Sequence, residues 1–289
     1  MSKVSNSKAA TPYENNPFYV AIQGIELLFN KAKGVGIFLA IFAVVSLFSS
    51  LPSSFMPATQ VNDTNVSSSE QIAQDEADAK EFVSTVQNIP VQFWLVLALI
   101  VLIVFAFALF IGFFIQGVID YTSAQLALGK EVSFSEAAKG TLSGFWGYAW
   151  VMFLAGLKTF LWTLLFIIPG IIMAVRYSLA GTAYFAAGKK GNEAINHSLS
   201  LTQGAWLTTN ASQVLLPLIT FGVAGALFSP GTKAVLYRQL DAVTAKGEAK
   251  PAAHILSWLV LVLPLIFFAL IILMVLLLAA AFANYAGTL

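Results

Sequence analysis

The chain has 289 residues, of which 58% are hydrophobic and 10% are charged, whereas soluble domains carry about 25% charged residues. Its 15 Lys and Arg residues against 14 Asp and Glu residues give a net charge of +1, so nothing in the composition points to a nucleic-acid partner. The sequence contains no cysteine and two histidines, which excludes disulfides, thiolate metal ligands and His-rich metal centres, and we expect no cofactor.

The N-terminal tail, residues 1–16, is polar and leads into an amphipathic helix. Asn16 can cap this helix and Pro17 suits its first turn. Apolar residues then recur at helical spacing, as expected of a helix that lies in the membrane interface: Phe18, Ile22, Ile25 and Phe29. The apolar run at 34–51 follows and is predicted to be a retained first span, because the polar tail ahead of it does not resemble a cleaved signal peptide.

The distribution of charge predicts the orientation of this first span. Four lysines precede it: Lys3, Lys8, Lys31 and Lys33. Because basic residues in short segments favour the cytoplasmic side, we expect a cytoplasmic N-terminus in the cell membrane. The segment 52–90 carries six acidic residues and only Lys80, which is typical of an extracytoplasmic loop.

Residues 91–118 form an apolar run without a charge, longer than the roughly 20 residues that a helix needs to cross a bilayer. This run ends the first of three similar units, each an interfacial helix followed by a transmembrane hairpin. Ser133 and Glu136 form a capping box at the start of the second unit. Asn192 marks the start of the third. The sequence therefore predicts an all-α polytopic bundle of about six or seven spans.

The segment 205–253 is open to two interpretations. A single span from Trp206 to Phe228 would place four basic residues outside, whereas a short hairpin broken around Pro217 and Thr220 would return them to the cytoplasm. We favour the hairpin, which with a last span at 255–283 gives seven crossings; six is the alternative. The predicted organisation is a tail (1–16), a membrane bundle (17–253) and an added C-terminal helix (254–289).

Three charges fall within apolar stretches. Asp120 lies on the first returning helix, Lys158 lies in the middle of the 145–168 run, and Arg176 follows a turn predicted at Pro169 and Gly170. Unpaired charges at mid-membrane cost about 2.5–3.5 kcal/mol each, so we expect the three to converge inside the bundle. The cluster is either a structural salt-bridge group or, since it has one surplus positive charge, an anion or lipid-headgroup site. A third alternative is that the long side chains extend to the membrane interface.

Several motifs carry a resemblance. These are Ile168-Pro-Gly-Ile-Ile172 with Tyr177-Ser178, the helix from Glu193-Ala194 to Gly204-x-Trp206, and Thr232-x-Ala234 with Leu236-Tyr-Arg-x-Leu240. Over roughly residues 17–240 the chain resembles the bacterial integral membrane family known as domain of unknown function 975. It resembles, more distantly, the membrane domain of some glycerophosphodiester phosphodiesterases. The resemblance implies a fold and a membrane location, but no chemistry, and the 52–90 loop and the last helix depart from it.

Three classes of function remain. Interfacial helices, an acidic outer loop and aromatic-rich spans favour a non-enzymatic membrane scaffold or assembly partner, which would contact membrane lipids and other membrane proteins. The alternative is a transporter or lipid-handling protein, because repeated units with buried charges are common in transporters. An enzyme is not expected, since paired carboxylates and a Ser/His constellation are lacking. His197 and His254 are typical of solvated or capping residues.

Overall fold

The computed structural model describes residues 13–50, 89–220 and 225–286, and within these residues all regular secondary structure is helical. The predictions for the 52–90 loop and for most of the N-terminal tail lie outside the described residues. The helices, in chain order, are α1 (Pro17–Lys31), α2 (Lys33–Ser50), α3 (Val91–Ala127), α4 (Phe134–Ser143), α5 (Phe145–Leu165), α6 (Ile167–Tyr177), α7 (Ala180–Ala187), α8 (Asn192–Thr202), α9 (Trp206–Ile219), α10 (Gly225–Lys246) and α11 (Ile255–Ala286).

Two compact units divide the chain. The larger contains residues 1–48 and 114–289, and the smaller contains residues 49–113. The described part of the smaller unit is mainly the first two thirds of α3, whose apolar side chains are exposed along residues 91–111. These two units differ from the predicted organisation into a tail (1–16), a membrane bundle (17–253) and a C-terminal helix (254–289). That organisation stays a prediction.

The all-α class and the order of elements agree with three units of short helix plus helical hairpin, but fewer helices qualify as spans than predicted. Four stretches of the described chain are long and apolar enough to cross a membrane: Val91–Ala127, Phe145–Leu165, Ile167–Ala187 and Ile255–Ala280. A fifth is added if α1 and α2, which meet at a bend of 114°, count as one broken span. The chain is therefore a membrane protein with four or five candidate spans.

The shortfall from six or seven spans lies mainly in the third unit. α9 ends at Ile219 and α10 begins at Gly225, so the chain forms two helices here and not one long span. Both helices bury polar side chains, including Thr208, Thr209 and Gln239. Such side chains are suited to contact with protein, and the two arms are packed in the bundle instead of facing lipid along their length.

Local sequence signals account for the starts of α1 and α4. The Asn16 side chain accepts a hydrogen bond from the Phe18 amide with Pro17 in the first turn, and Ser133 and Glu136 form the predicted capping box. α8 differs, because its N-cap residue is Gly191 and Asn192 is already helical. The turn after α5 falls at Phe166, ahead of Pro169. Proline is compatible with a first helical turn, where its missing amide is not needed, so Pro169 lies in the first turn of α6 and does not form the connection.

α1 has two apolar faces with different surroundings. The predicted stripe is partly exposed, with Phe18 at 44% and Phe29 at 40%, as expected for a face that contacts lipid. A second stripe of smaller residues is buried in the bundle: Pro17, Val20, Ala21, Gly24 and Leu28.

Glycines allow α1 and α10 to cross with their backbones in contact. A Cβ atom added at Gly24 would lie 2.5 Å from the Thr232 nitrogen and 2.8 Å from the Gly231 carbonyl carbon, and one added at Gly231 would overlap the backbone of Gly24. Only small residues permit such an approach. The crossing fixes the level of α10 two residues before Lys233.

We predict that Gly24→Ala lowers the stability of the purified protein by about 1–3 kcal/mol, because the added methyl group forces two packed backbones apart. The measurement is the thermal unfolding midpoint in detergent. Gly156→Ala is the matched control, since nothing lies within 4 Å of a Cβ at that helical position. This control should be neutral or slightly stabilising. Equal midpoints for the two variants would contradict the close crossing.

Candidate functional site

The most enclosed charged group in the described chain is the carboxylate of Asp120. It lies on α3, in the part of the helix that belongs to the larger unit, and its side chain has no exposed surface. A buried carboxylate without partners is very costly, so its surroundings decide what the site is.

The partner of Asp120 is Lys233 on α10. Its Nζ donates to Asp120 Oδ1 at 2.8 Å, and its own side chain is 7% exposed. The two residues therefore form a buried ion pair that carries no net charge.

Hydroxyl and amide groups complete the surroundings of the carboxylate. Tyr148 Oη on α5 donates to Oδ2 at 2.8 Å, and Gln116 Nε2, one turn earlier on α3, donates to the same oxygen at 3.4 Å. Thr182 Oγ1 on α7 donates to Oδ1 at 3.4 Å. Each carboxylate oxygen thus accepts two hydrogen bonds. We call these five residues the polar centre: Gln116, Asp120, Tyr148, Thr182 and Lys233.

A glycine allows α7 to approach the polar centre. A Cβ at Gly181 would overlap Asp120 Oδ2 and would lie 2.9 Å from the Tyr148 ring. The Tyr148 ring in turn stacks on Phe185, with centroids 5.2 Å apart. The phenol is therefore held against the carboxylate by packing on one side and by its hydrogen bond on the other.

The polar centre joins four helices. Three of them belong to the returning arms of the three units: α3, α7, which continues the arm begun by α6, and α10. Its hydrogen bonds satisfy the carboxylate and its charges cancel, which is the condition under which a buried ion pair is tolerated. This arrangement fixes the relative positions of the helices. It has no surplus charge with which to hold an anion.

The structure corrects the predicted grouping of Asp120, Lys158 and Arg176. Among the described residues, Asp120 pairs with Lys233 and with neither of the two predicted bases. Lys158 Nζ donates to Asn192 Oδ1 at 2.9 Å, and Arg176 Nη1 lies 3.9 Å from Met173 Sδ. Asp120 is buried, as expected for an interior charge, but Lys233, Tyr148 and Thr182 were not among the predicted site residues. The sequence does contain a hint of the role of Lys233, because Lys233 is the single charged residue in the first half of α10.

The two histidines have different roles. His254 Nδ1 accepts a hydrogen bond from the Leu256 amide at 3.2 Å and so caps α11, as predicted. His197 on α8 is 22% exposed and contacts α10, with its Nε2 3.1 Å from Tyr237 Oη and 3.6 Å from Asp241 Oδ1. Burial lowers the pKa of His197, and Asp241 partly opposes this effect. His197 therefore packs against α10 and is not a solvated residue.

Comparisons with known proteins give no relatives: no family model, curated protein or solved structure matches this chain. The resemblance to the family of domain of unknown function 975 accordingly stays a prediction. Within the described residues no three His, Asp or Glu side chains are grouped to hold a metal ion.

We predict that Lys233→Met lowers the stability of the folded protein by about 3–5 kcal/mol, because it leaves a buried carboxylate without its counter-charge. Adding Asp120→Asn should recover most of this loss, since the amide oxygen still accepts from Tyr148 and no charge remains. The measurement is chemical unfolding of Lys233→Met, Asp120→Asn and the double variant in detergent. Additive losses in the double variant would show that the two residues are not coupled.

A second prediction concerns the dependence of folding stability on pH. Because the pKa of His197 is lowered in the fold, the unfolded chain binds its proton more readily. The contribution of His197 to stability is thus fully present above the unfolded pKa of about 6.5 and falls as the pH drops below it. His197→Gln should reduce the decrease in unfolding midpoint between pH 7.5 and pH 5.5. An unchanged decrease would exclude His197 as a contributor.

Proposed function

We propose that the protein is a non-enzymatic scaffold or assembly partner in the cell membrane, with a cytoplasmic N-terminus. The polar centre supports this proposal, because it uses its charged groups to hold four helices in place. The second support is the exposed apolar surface of α11, which these four helices do not cover.

The observation that carries the proposal is the exposure of α11. It is joined to the larger unit through its first turns, where Ser257 and Val260 are buried. Of its most apolar stretch, only 6% is buried. Between Val262 and Leu278 the helix presents exposed large apolar side chains on every face, such as Phe267 at 66% and Phe268 at 63% exposed.

A helix with this surface needs an apolar neighbour along its whole length. Either acyl chains or the spans of another membrane protein provide one. We favour a protein partner, because α11 is held by one end and contributes no described residue to the polar centre. Such a helix can associate with a second protein without disturbing the bundle that carries it.

The orientation rests on charge. Lys31 and Lys33 flank the bend between α1 and α2, and Lys31 Nζ donates to the Gly129 carbonyl at 2.7 Å. This bond ties the turn after α3 to the same level as the bend. Basic residues at this level favour the cytoplasmic side.

Photo-crosslinking in native membranes tests the assembly role. We expect a photoreactive phenylalanine analogue at Phe268 to yield protein adducts of discrete mass that contain a second membrane protein. Phe160 on α5 is the matched control, because it is also a phenylalanine and is 61% exposed. This position should yield lipid adducts.

Two outcomes would contradict the proposal. Lipid adducts alone at Phe268 would mean that α11 contacts only the bilayer. An adduct of two copies of this chain as the sole product would mean self-association, not assembly with another protein.

A further inference from the structure

The pairing of Asp120 with Lys233 leaves two other bases, Lys158 and Arg176, without a carboxylate. We call them the basic pair. They lie on α5 and α6, the two arms of one hairpin.

The register of the hairpin places the basic pair at one level. Gly170 lies directly against Thr163, since an added Cβ would be 2.6 Å from the Thr163 Cα. Nearer the bundle, Ala155 and Tyr177 belong to the same buried cluster. Lys158 and Arg176 lie between these two contacts on their respective arms. Lys158 lies five residues from Thr163 and Arg176 lies six residues from Gly170. At a rise of 1.5 Å per residue the two side chains start within about 2 Å of the same height.

No acid in the described chain forms an ion pair with either base. Lys158 has the Asn192 amide oxygen as its hydrogen-bond acceptor. Arg176 has only the distant Met173 sulfur at its Nη1, and its buried Nε has no hydrogen-bond partner among the described residues. A guanidinium has five N–H donors, and leaving them unused in a partly buried position is unfavourable.

α8 borders both bases. Ser198 Oγ donates to the Arg176 carbonyl at 2.7 Å, and Thr202 Oγ1 donates to the same oxygen at 3.3 Å. Asn192, which contacts Lys158, is the first residue of this helix. The exposed residues Lys189 and Lys190 come just before it. We call the region around Lys158, Arg176 and the start of α8 the neck of the hairpin. The neck is positively charged, with Glu193 as an exposed acid nearby.

Beyond the basic pair the surface becomes apolar. We call residues 159–168 the hairpin tip. Its large side chains are exposed and include Leu164 at 72%, Phe166 at 69% and Ile168 at 72%. The tip extends about 10 Å past Lys158 at the helical rise of 1.5 Å per residue. Cations at the neck and an apolar surface above them match the two ends of a phospholipid.

We propose that the basic pair binds a phosphate group at the neck of the α5–α6 hairpin, and that this phosphate is the headgroup of a lipid whose acyl chains lie along the hairpin tip. Arg176 supplies a planar set of donors suited to phosphate oxygens, and Lys158 adds a point charge. The site does not depend on the assembly role proposed for α11.

Native mass spectrometry of the full-length protein, titrated with dioleoyl phosphatidylglycerol, tests this site. Lys158→Gln and Arg176→Gln should each weaken binding roughly fivefold, which corresponds to one interfacial charge contact. Lys139→Gln is the matched control, since it removes the same charge from an exposed position on α4. It should bind like the unaltered protein. A diacylglycerol, which lacks phosphate, should bind no better to the unaltered protein than to the two variants.

The remaining arms distinguish the sources of the phosphate and the effect of misfolding. Inorganic phosphate should not displace the lipid at equal concentration; displacement that depends on Lys158 and Arg176 would identify a free phosphate site and overturn the lipid assignment. If Arg176→Gln does not fold, Lys158→Gln carries the test, because its amide can still contact Asn192. Lipid binding by Lys158→Gln equal to that of Lys139→Gln would overturn the proposal.

Discussion

A carboxylate buried in an apolar helix bundle must be paired, and the arrangement of the returning helices follows from how Asp120 is paired. Removing a charge from water is costly, and only close counter-charges and hydrogen bonds offset that cost. Lys233 supplies the charge at 2.8 Å, and Tyr148, Thr182 and Gln116 supply the hydrogen bonds. These bonds require α3, α5, α7 and α10 to be in register at this point, so one residue constrains four helices.

The close crossing of α1 and α10 makes this pairing possible. Gly24 and Gly231 bring the two backbones into contact, and Lys233 follows two residues later on α10. Gly181 has the same role on α7, where the absence of a side chain leaves room for the Asp120 carboxylate. Small residues thus set the helix positions, and the polar groups then hold them. The surfaces to which functions are assigned, α11 and the α5–α6 hairpin, lie outside the polar centre.

Much of the fold was predictable because its signals are local. The Asn16 cap and the Ser133 and Glu136 capping box depend on residues within one turn of each other, and the sequence shows them directly. The break between α9 and α10 is likewise marked by nearby Pro217 and Thr220. Four or five candidate spans are counted in the described chain where six or seven were predicted, partly because α9 has only 14 residues and is too short to qualify.

The partner of Asp120 was not predictable in the same way. Asp120 lies about 10 Å before the end of α3 and Lys233 about 20 Å before the end of α10, at 1.5 Å per residue, so counting from the turns places them at different depths. The crossing of α1 and α10 sets the true offset, and this is a contact between residues far apart in sequence. The connection between the helices of Lys158 and Arg176 falls at Phe166 and not at Pro169 and Gly170. The equal depth expected for these two bases stays a prediction.

The most direct test of the polar centre is the distance between its two charged groups in the intact protein. Solid-state NMR on protein labelled with ¹³Cγ aspartate and ¹⁵Nζ lysine, in lipid bilayers, measures this distance through the dipolar coupling of the two nuclei. Within the described residues, the Asp120 and Lys233 pair is the sole aspartate and lysine ion pair. We expect strong dephasing of one aspartate carboxyl signal, and we expect it to disappear in Lys233→Gln. Absence of this coupling, or its persistence in Lys233→Gln, would contradict the account.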